Sequence, residues 1–178
     1  MTTMNPITIC PSTLSEGYDT YSPAASRRLF DSRTVSPYLD YASIDDDSQP
    51  ATQEEFMHNQ ERISLSGVQP KYSMVVRDGK LRLTEEGEQG RYILKPKLSD
   101  FRNRLYSAAN ENLTMQIAAQ VFDIETAENG LCFFQGGEAA YIRRQAGRYE
   151  TPQRGFRVAG RTDRTERRPE LQIRCADL

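Results

Sequence analysis

Two short runs of alternating residues, Tyr72–Arg77 and Lys80–Thr84, flank Asp78-Gly79, and this pattern predicts a β-hairpin. Arg91–Lys95 reads as a third strand, stopped by Pro96, which has no N–H to give a ladder. The period then changes. Across Asn103–Phe122, Leu113, Ile117 and Val121 recur on one face of a helix, with Met115, Ala118 and Phe122 on an adjoining stripe. Leu131–Phe134 and Ala139–Arg143 form a second strand pair across Gly136-Gly137. The order β-β-β-α-β-β predicts an α+β fold, an antiparallel sheet with one packed helix. Upstream, residues 54–62 read as a short helix. Residues 1–57 otherwise read as a polar N-terminal segment and linker, with a solvated acidic run at Asp45-Asp46-Asp47. Within it, Tyr38, Leu39 and Tyr41 are expected to pack on the sheet domain.

Composition narrows the possible functions. The 178 residues are 37% hydrophobic, and no apolar run approaches the ~20 residues of a membrane helix. The N-terminus has no basic stretch followed by an apolar one, so no secretory signal is expected, and the expected location is the cytoplasm. Cys10, Cys132 and Cys175 are far apart and His58 is the single histidine, which argues against a structural zinc site or a histidine-based hydrolase. Cys132, beside Phe133 and Phe134, reads as a buried strand residue, and His58 as a surface one. The net charge of −2 hides a division: residues 1–142 carry −7, and residues 143–178 carry +5 from ten arginines.

Candidate chemistry begins at Ser64-Leu65-Ser66-Gly67-Val68-Gln69-Pro70-Lys71-Tyr72. Small Ser and Gly residues let backbone N–H groups approach an anion, and a lysine stands beside them. Lys95 comes next on the third strand and Glu111 on the helix. Taken singly, these are an ordinary turn, a strand-end lysine and a helix-surface glutamate. A phosphate loop, a strand lysine and a helix glutamate in that order form the upper half of a kinase-like nucleotide site. The candidate ATP-binding residues are Ser66, Gly67, Val68, Gln69, Lys71, Lys95 and Glu111.

The wording of these pieces resembles the HipA-like serine/threonine kinase toxins, most closely the short HipT-type members. The likeness covers about residues 9–144 and rests on Ile63–Lys71, Tyr92-Ile93-Leu94-Lys95-Pro96, Asn110-Glu111 and Tyr141-Ile142-Arg143-Arg144. The opening Cys10-Pro11-Ser12-Thr13-Leu14, Tyr21-Ser22-Pro23 and Arg27-Arg28-Leu29-Phe30 also matches. The resemblance implies a HipA-like, atypical kinase N-lobe over residues 58–144. It implies ATP and Mg²⁺ as cofactors, and autophosphorylation of the loop serine at Ser64, with Ser66 as the second serine of HipT-type members. A phosphate there would add about −1.5 to −2 charges where ATP phosphates sit. For an intact relative it implies transfer of the γ-phosphate to a protein serine in the aminoacyl-tRNA synthetase class. It also implies a helix-turn-helix antitoxin partner, within a type II toxin–antitoxin system acting on growth and persistence.

The resemblance stops before the C-lobe. The family's catalytic Asp-x-x-x-x-Asn stretch and metal-binding Asp find no match after Arg144, and Asp163 and Asp177 lack the surrounding pattern. No catalytic or metal residue is therefore assigned in this chain, and its activity as an enzyme is left open. Residues 145–178 read as an Arg-rich tail, out of frame or disordered. Back-translated with free synonymous codons and read one nucleotide on, Arg148–Thr165 spells a Glu-Asp-Phe stretch like the family's continuation. The alternatives are a genuine basic tail, in which Tyr149 and Phe156 are the aromatics and no base-stacking pattern exists, and an inactive chain that serves as an antitoxin- or partner-binding module. No direct binding of nucleic acid or membrane is expected. Sequencing the gene through and beyond codon 140 is expected to show an alternate frame that continues into Asp-x-x-x-x-Asn. A gene with no such frame would make the basic tail genuine.

Overall fold

The computed structural model describes residues 7–44, 48, 50–59, 69–97 and 104–145. Helix α1 spans Pro23–Phe30 and α2 spans Pro50–His58. Strands β1 (Tyr72–Arg77), β2 (Lys80–Leu83) and β3 (Tyr92–Lys95) come next. A single 3₁₀ turn, Arg104–Tyr106, leads into α3 (Ser107–Gln120), and β4 (Asn129–Phe133) and β5 (Ala139–Arg144) close the order. The five strands form one antiparallel sheet in the order β2-β1-β3-β5-β4. The architecture is α+β and consistent with a kinase-like N-lobe. The strand boundaries match the periodicity to within two residues at each end. Asp78 and Gly79 both take positive φ, 51° and 71°, as a tight two-residue hairpin turn requires. The acidic run at 45–47, the loop at 60–68 and the tail lie outside the described residues.

Register sorts the sheet into two faces, because directly paired residues point the same way. Tyr72, Met74, Leu81, Leu83, Tyr92, Leu94, Cys132, Ala140 and Ile142 share one face and belong to the buried core. The N-terminal residues cover this face. Cys10, Tyr21, Ala25, Leu29, Phe30, Val35, Leu39 and Tyr41 enter the same core, so the packing expected for Leu39 and Tyr41 extends back to Cys10. Cys132 is fully buried and His58 exposed.

Helix α1 was not legible from apolar periodicity. Its signal is the cap: Ser22 Oγ accepts a hydrogen bond from Ala25 N–H at 3.2 Å, and Pro23 takes the first turn, where its missing N–H costs nothing. Asp31 ends the helix in the left-handed region at φ 54°. Cys10 staples the approach to α1, since its Sγ accepts the N–H groups of Thr13 at 3.4 Å and Ser22 at 3.2 Å. Burial alone would raise this thiol's pKa, but the bonds from Ser22 and Thr13 outweigh it and the net shift is downward.

A strap at residues 36–41 ties the two edge strands together. At one edge, Ser36 N–H donates to Gly79 O at 2.8 Å, Tyr41 Oη accepts Leu83 N–H at 3.1 Å, and Asp40 binds Lys80 and Arg82 at 2.6 and 3.1 Å. At the other edge, Phe133 N–H donates to Pro37 O and Leu39 N–H to Phe133 O, both at 2.8 Å. Phe56 of α2 plugs the space beneath, with ring centroids 5.2 Å from Tyr41, 4.8 Å from Tyr72 and 6.0 Å from Phe134.

The orientation of α3 reverses the usual expectation for a helix on a sheet. Its buried residues are Ala108, Asn112 and Gln116, while Leu113 and Ile117 are 46% and 41% exposed and Val121 is 66% exposed. Amides do the anchoring. Asn112 Nδ2 donates to Pro11 O at 3.2 Å, Gln116 Nε2 to Asn129 Oδ1 at 3.1 Å, and Gln120 Nε2 to Thr13 O at 3.0 Å. The apolar periodicity correctly marks a helix, but the stripe it identifies points away from the sheet.

Tyr41→Phe is expected to lower stability by about 1–2 kcal/mol in urea unfolding, because Leu83 N–H loses a buried acceptor while the ring packing stays. An unchanged midpoint would mean that the strap does not hold that edge.

Candidate functional site

The second face of the sheet carries Ser73, Val75, Ile93, Lys95, Leu131, Asn129, Tyr141 and Arg143 by register, and α3 lies against its β4–β5 side. Lys95 is the last residue of β3 and pairs with Tyr141 of β5, so both side chains stand on this face. Glu111 lies one turn into α3, before Asn112. The structure brings the two together: Lys95 Nζ forms a direct ion pair with Glu111 Oε1, with side chains only 17% and 24% exposed. Partial burial makes such a pair directional and costly to break from one side only.

The Lys95 ammonium also lies 5.2 Å from the centroid of the Tyr141 ring, within cation–π range. Tyr141 itself is fully buried, and its Oη has no protein hydrogen-bond partner among the described residues. Burial pushes its phenol up to about 12, and the nearby Glu111 carboxylate adds to the rise against a smaller opposing pull from Arg143. Alternation along β5 gives Tyr141 its face, but nothing in the sequence marks it as the floor under Lys95.

A second pair lies just beyond the strand end. Lys97 Nζ bonds Glu138 Oε2, with side chains 12% and 17% exposed, and Ser43 Oγ donates to the same oxygen at 2.8 Å. Sequence reasoning did not select Lys97, Glu138 or Ser43, because Glu138 sits in a glycine turn that reads as a connection only. Gln69 Nε2 donates to Pro96 O at 2.8 Å and fastens the chain before β1 to the end of β3. Lys71 is partly buried beside it, at the entry to β1. Ser64, Ser66, Gly67 and Val68 lie outside the described residues.

The end of β3 thus carries a fixed, partly desolvated ammonium, braced by a helix carboxylate and an aromatic face. This arrangement suits an anionic group delivered near the strand end. Among the described residues, no set of three or more His, Cys, Asp and Glu is grouped to hold a metal ion, and no helix is long and apolar enough to cross a membrane.

The chain is similar to a Haemophilus influenzae protein named "Putative kinase", with 30% identity over 135 residues, 73% of this chain. The relationship is kinase-like. It reaches no further than that, because the chain spans about a third of the relative's length, 34%. No known family profile matches the chain.

Tyr141→Phe is expected to leave stability at pH 7 unchanged or to raise it by about 1 kcal/mol, since the hydroxyl is buried without a partner. The phenol's folded pKa lies above its ordinary value of 10.0, so the folded state keeps a proton that the unfolded state releases between about pH 10 and 12. The wild type should therefore lose stability as pH rises through that window. Comparing the two proteins by thermal unfolding should show a shallower alkaline decline in the variant. Identical alkaline limbs would place the phenol in water.

Proposed function

We propose that this chain is the ATP-binding N-terminal portion of a HipA/HipT-like serine/threonine kinase. The Lys95–Glu111 pair carries the reading, because it fixes a strand lysine where a kinase needs one for the α- and β-phosphates. Gln69 and Lys71, at the entry to β1, support it by their position next to the strand end. Ser66, Gly67 and Val68 would complete the phosphate loop, and Ser64 or Ser66 would be the autophosphorylated serine that opposes ATP. ATP with Mg²⁺ would supply the transferable phosphoryl group. Lys95 would neutralise phosphate charge, Glu111 would hold Lys95 in place, and Tyr141 would exclude water beneath it.

The family resemblance supports the finer roles. An intact relative would phosphorylate a protein serine of the aminoacyl-tRNA synthetase class in the cytoplasm, and a helix-turn-helix antitoxin would restrain it. Transfer itself would further require a base and metal ligands, which the resemblance places in a second lobe of intact relatives. A second reading, a partner-binding module, is favoured by the apolar stripe that α3 turns outward.

MgATP is expected to raise the melting temperature of the wild-type chain in a thermal-shift titration, and Lys95→Ala is expected to abolish the shift. Glu111→Gln should weaken it by roughly tenfold in apparent Kd, equivalent to about 1.4 kcal/mol. Equal shifts in wild type and Lys95→Ala would overturn the site assignment. No shift in a wild type that melts cooperatively would favour the binding module.

A further inference from the structure

We propose that Asn112 is a positioning residue of the nucleotide site, through which the N-terminal turn at residues 10–15 sets where Glu111 stands. This role rests on the reading of Lys95 and Glu111 as ATP-binding residues. Asn112 follows Glu111 directly, so the two side chains leave α3 about 100° apart. Asn112 is buried and donates to Pro11 O, while Glu111 engages Lys95. The turn is a fixed point of reference. Cys10 N–H donates to Ser15 O at 2.8 Å and Leu14 N–H to Cys10 O at 3.1 Å, which closes the turn on itself. Two bonds pin it to β4: Leu131 N–H donates to Pro11 O at 2.8 Å, and Ser12 Oγ to Asn129 O at 2.6 Å. Strand β4 carries a glycine where the turn comes closest, since a Cβ at Gly130 would meet Ser12 Cβ at 3.1 Å. From this point, Pro11 O accepts Asn112 Nδ2 at 3.2 Å and Thr13 O accepts Gln120 Nε2 at 3.0 Å, about two turns apart along α3.

Asn112 contributes direction rather than stability. Its Oδ1 is buried without a hydrogen-bond partner among the described residues, which is unfavourable. Its partner Pro11 O keeps Leu131 N–H when Nδ2 is removed, so no new orphan is created. An apolar side chain of similar volume at 112 should therefore fold as well, and hold the helix less firmly in one place. Helix α3 advances about 1.5 Å per residue. A slide of that size would break the Lys95–Glu111 pair, or drag the ammonium away from its place over Tyr141. A supporting residue that locks its neighbour in this way controls how often the site is ready for phosphate, without touching the nucleotide.

Calorimetric titration of the full chain with MgATP, beside thermal unfolding of each protein, tests this role. Asn112→Leu is expected to melt within a few degrees of the wild type and to bind MgATP about tenfold more weakly, close to the effect of Glu111→Gln. Adding Asn112→Leu to Glu111→Gln should cause no further loss, because Asn112 acts through Glu111. A merely structural Asn112 would instead lower the melting temperature, and its effect on Kd would multiply with that of Glu111→Gln; that result overturns the proposal. So does wild-type affinity in Asn112→Leu while Lys95→Ala abolishes binding, which leaves the nucleotide site standing and removes only its link to the turn. A wild type that does not bind MgATP removes the nucleotide reading itself, and this role with it. Should Asn112→Leu fail to fold, Gly130→Ala tests the link from the other side. Its added methyl pushes Ser12 and the turn away from β4, and MgATP binding should weaken about threefold. Unchanged affinity in that variant overturns the proposal.

Discussion

Closure of the sheet by the strap at residues 36–41 is the constraint on which the other features rest. An open five-stranded sheet has two edges with unpaired backbone groups, and a small domain must protect them. Here one segment serves both edges, binding Gly79 and Leu83 on one side and Phe133 on the other. The core beneath is then sealed by Phe56 and by the rings of Phe30 and Tyr92, whose centroids are 5.4 Å apart. With the first face sealed, Lys95, Tyr141 and Asn129 on the second face are left to meet α3.

Helix α3 is attached by directional bonds, in contrast to the apolar burial that holds the rest of the fold. Three amides and one carboxylate fix its rotation and height against the sheet. An apolar contact would allow the helix to slide by fractions of a turn with little change in energy. Buried hydrogen bonds do not, since each misplaced donor or acceptor costs about 1–3 kcal/mol. This precision suits a glutamate whose task is to hold an ammonium in one place. Because two of the amides reach Pro11 and Thr13, the N-terminal residues help to set where Glu111 stands.

The sequence was most informative where the physics is local. Alternation around Asp78-Gly79 and the stop at Pro96 located β1, β2 and β3, because strand period and turn chemistry act over a few residues. The lysine and glutamate were selected by order and type, and their meeting is a consequence of β3 and α3 lying at the same end of the sheet. What sequence reasoning missed depends on contacts distant along the chain. The N-terminal stretch looked polar because its buried residues are spread thinly: Cys10, Tyr21, Leu29 and Val35 enter the core from separate turns. The outward rotation of α3 was hidden for a related reason. Hydrophobic period reports which residues share a face but not which face is inward, and here the amides' partners decided it. Glu138 and Ser43 were invisible because only the tertiary fold brings them beside Lys97.

The bonds that seat the N-terminal residues have a consequence for synthesis. Ser12 Oγ donates to Asn129 O at 2.6 Å, a contact between residues 117 positions apart. Pro11 O likewise accepts Leu131 N–H at 2.8 Å and Asn112 Nδ2 at 3.2 Å. On a ribosome the first part of the core to emerge is therefore among the last to be seated, because its partners in α3 and β4 have not yet been made. Until β4 appears, the apolar side chains of Tyr21, Leu29 and Phe30 have no finished surface to cover. Ordering of this kind raises the mean separation of native contacts, and with it the time a nascent chain spends with its core uncovered.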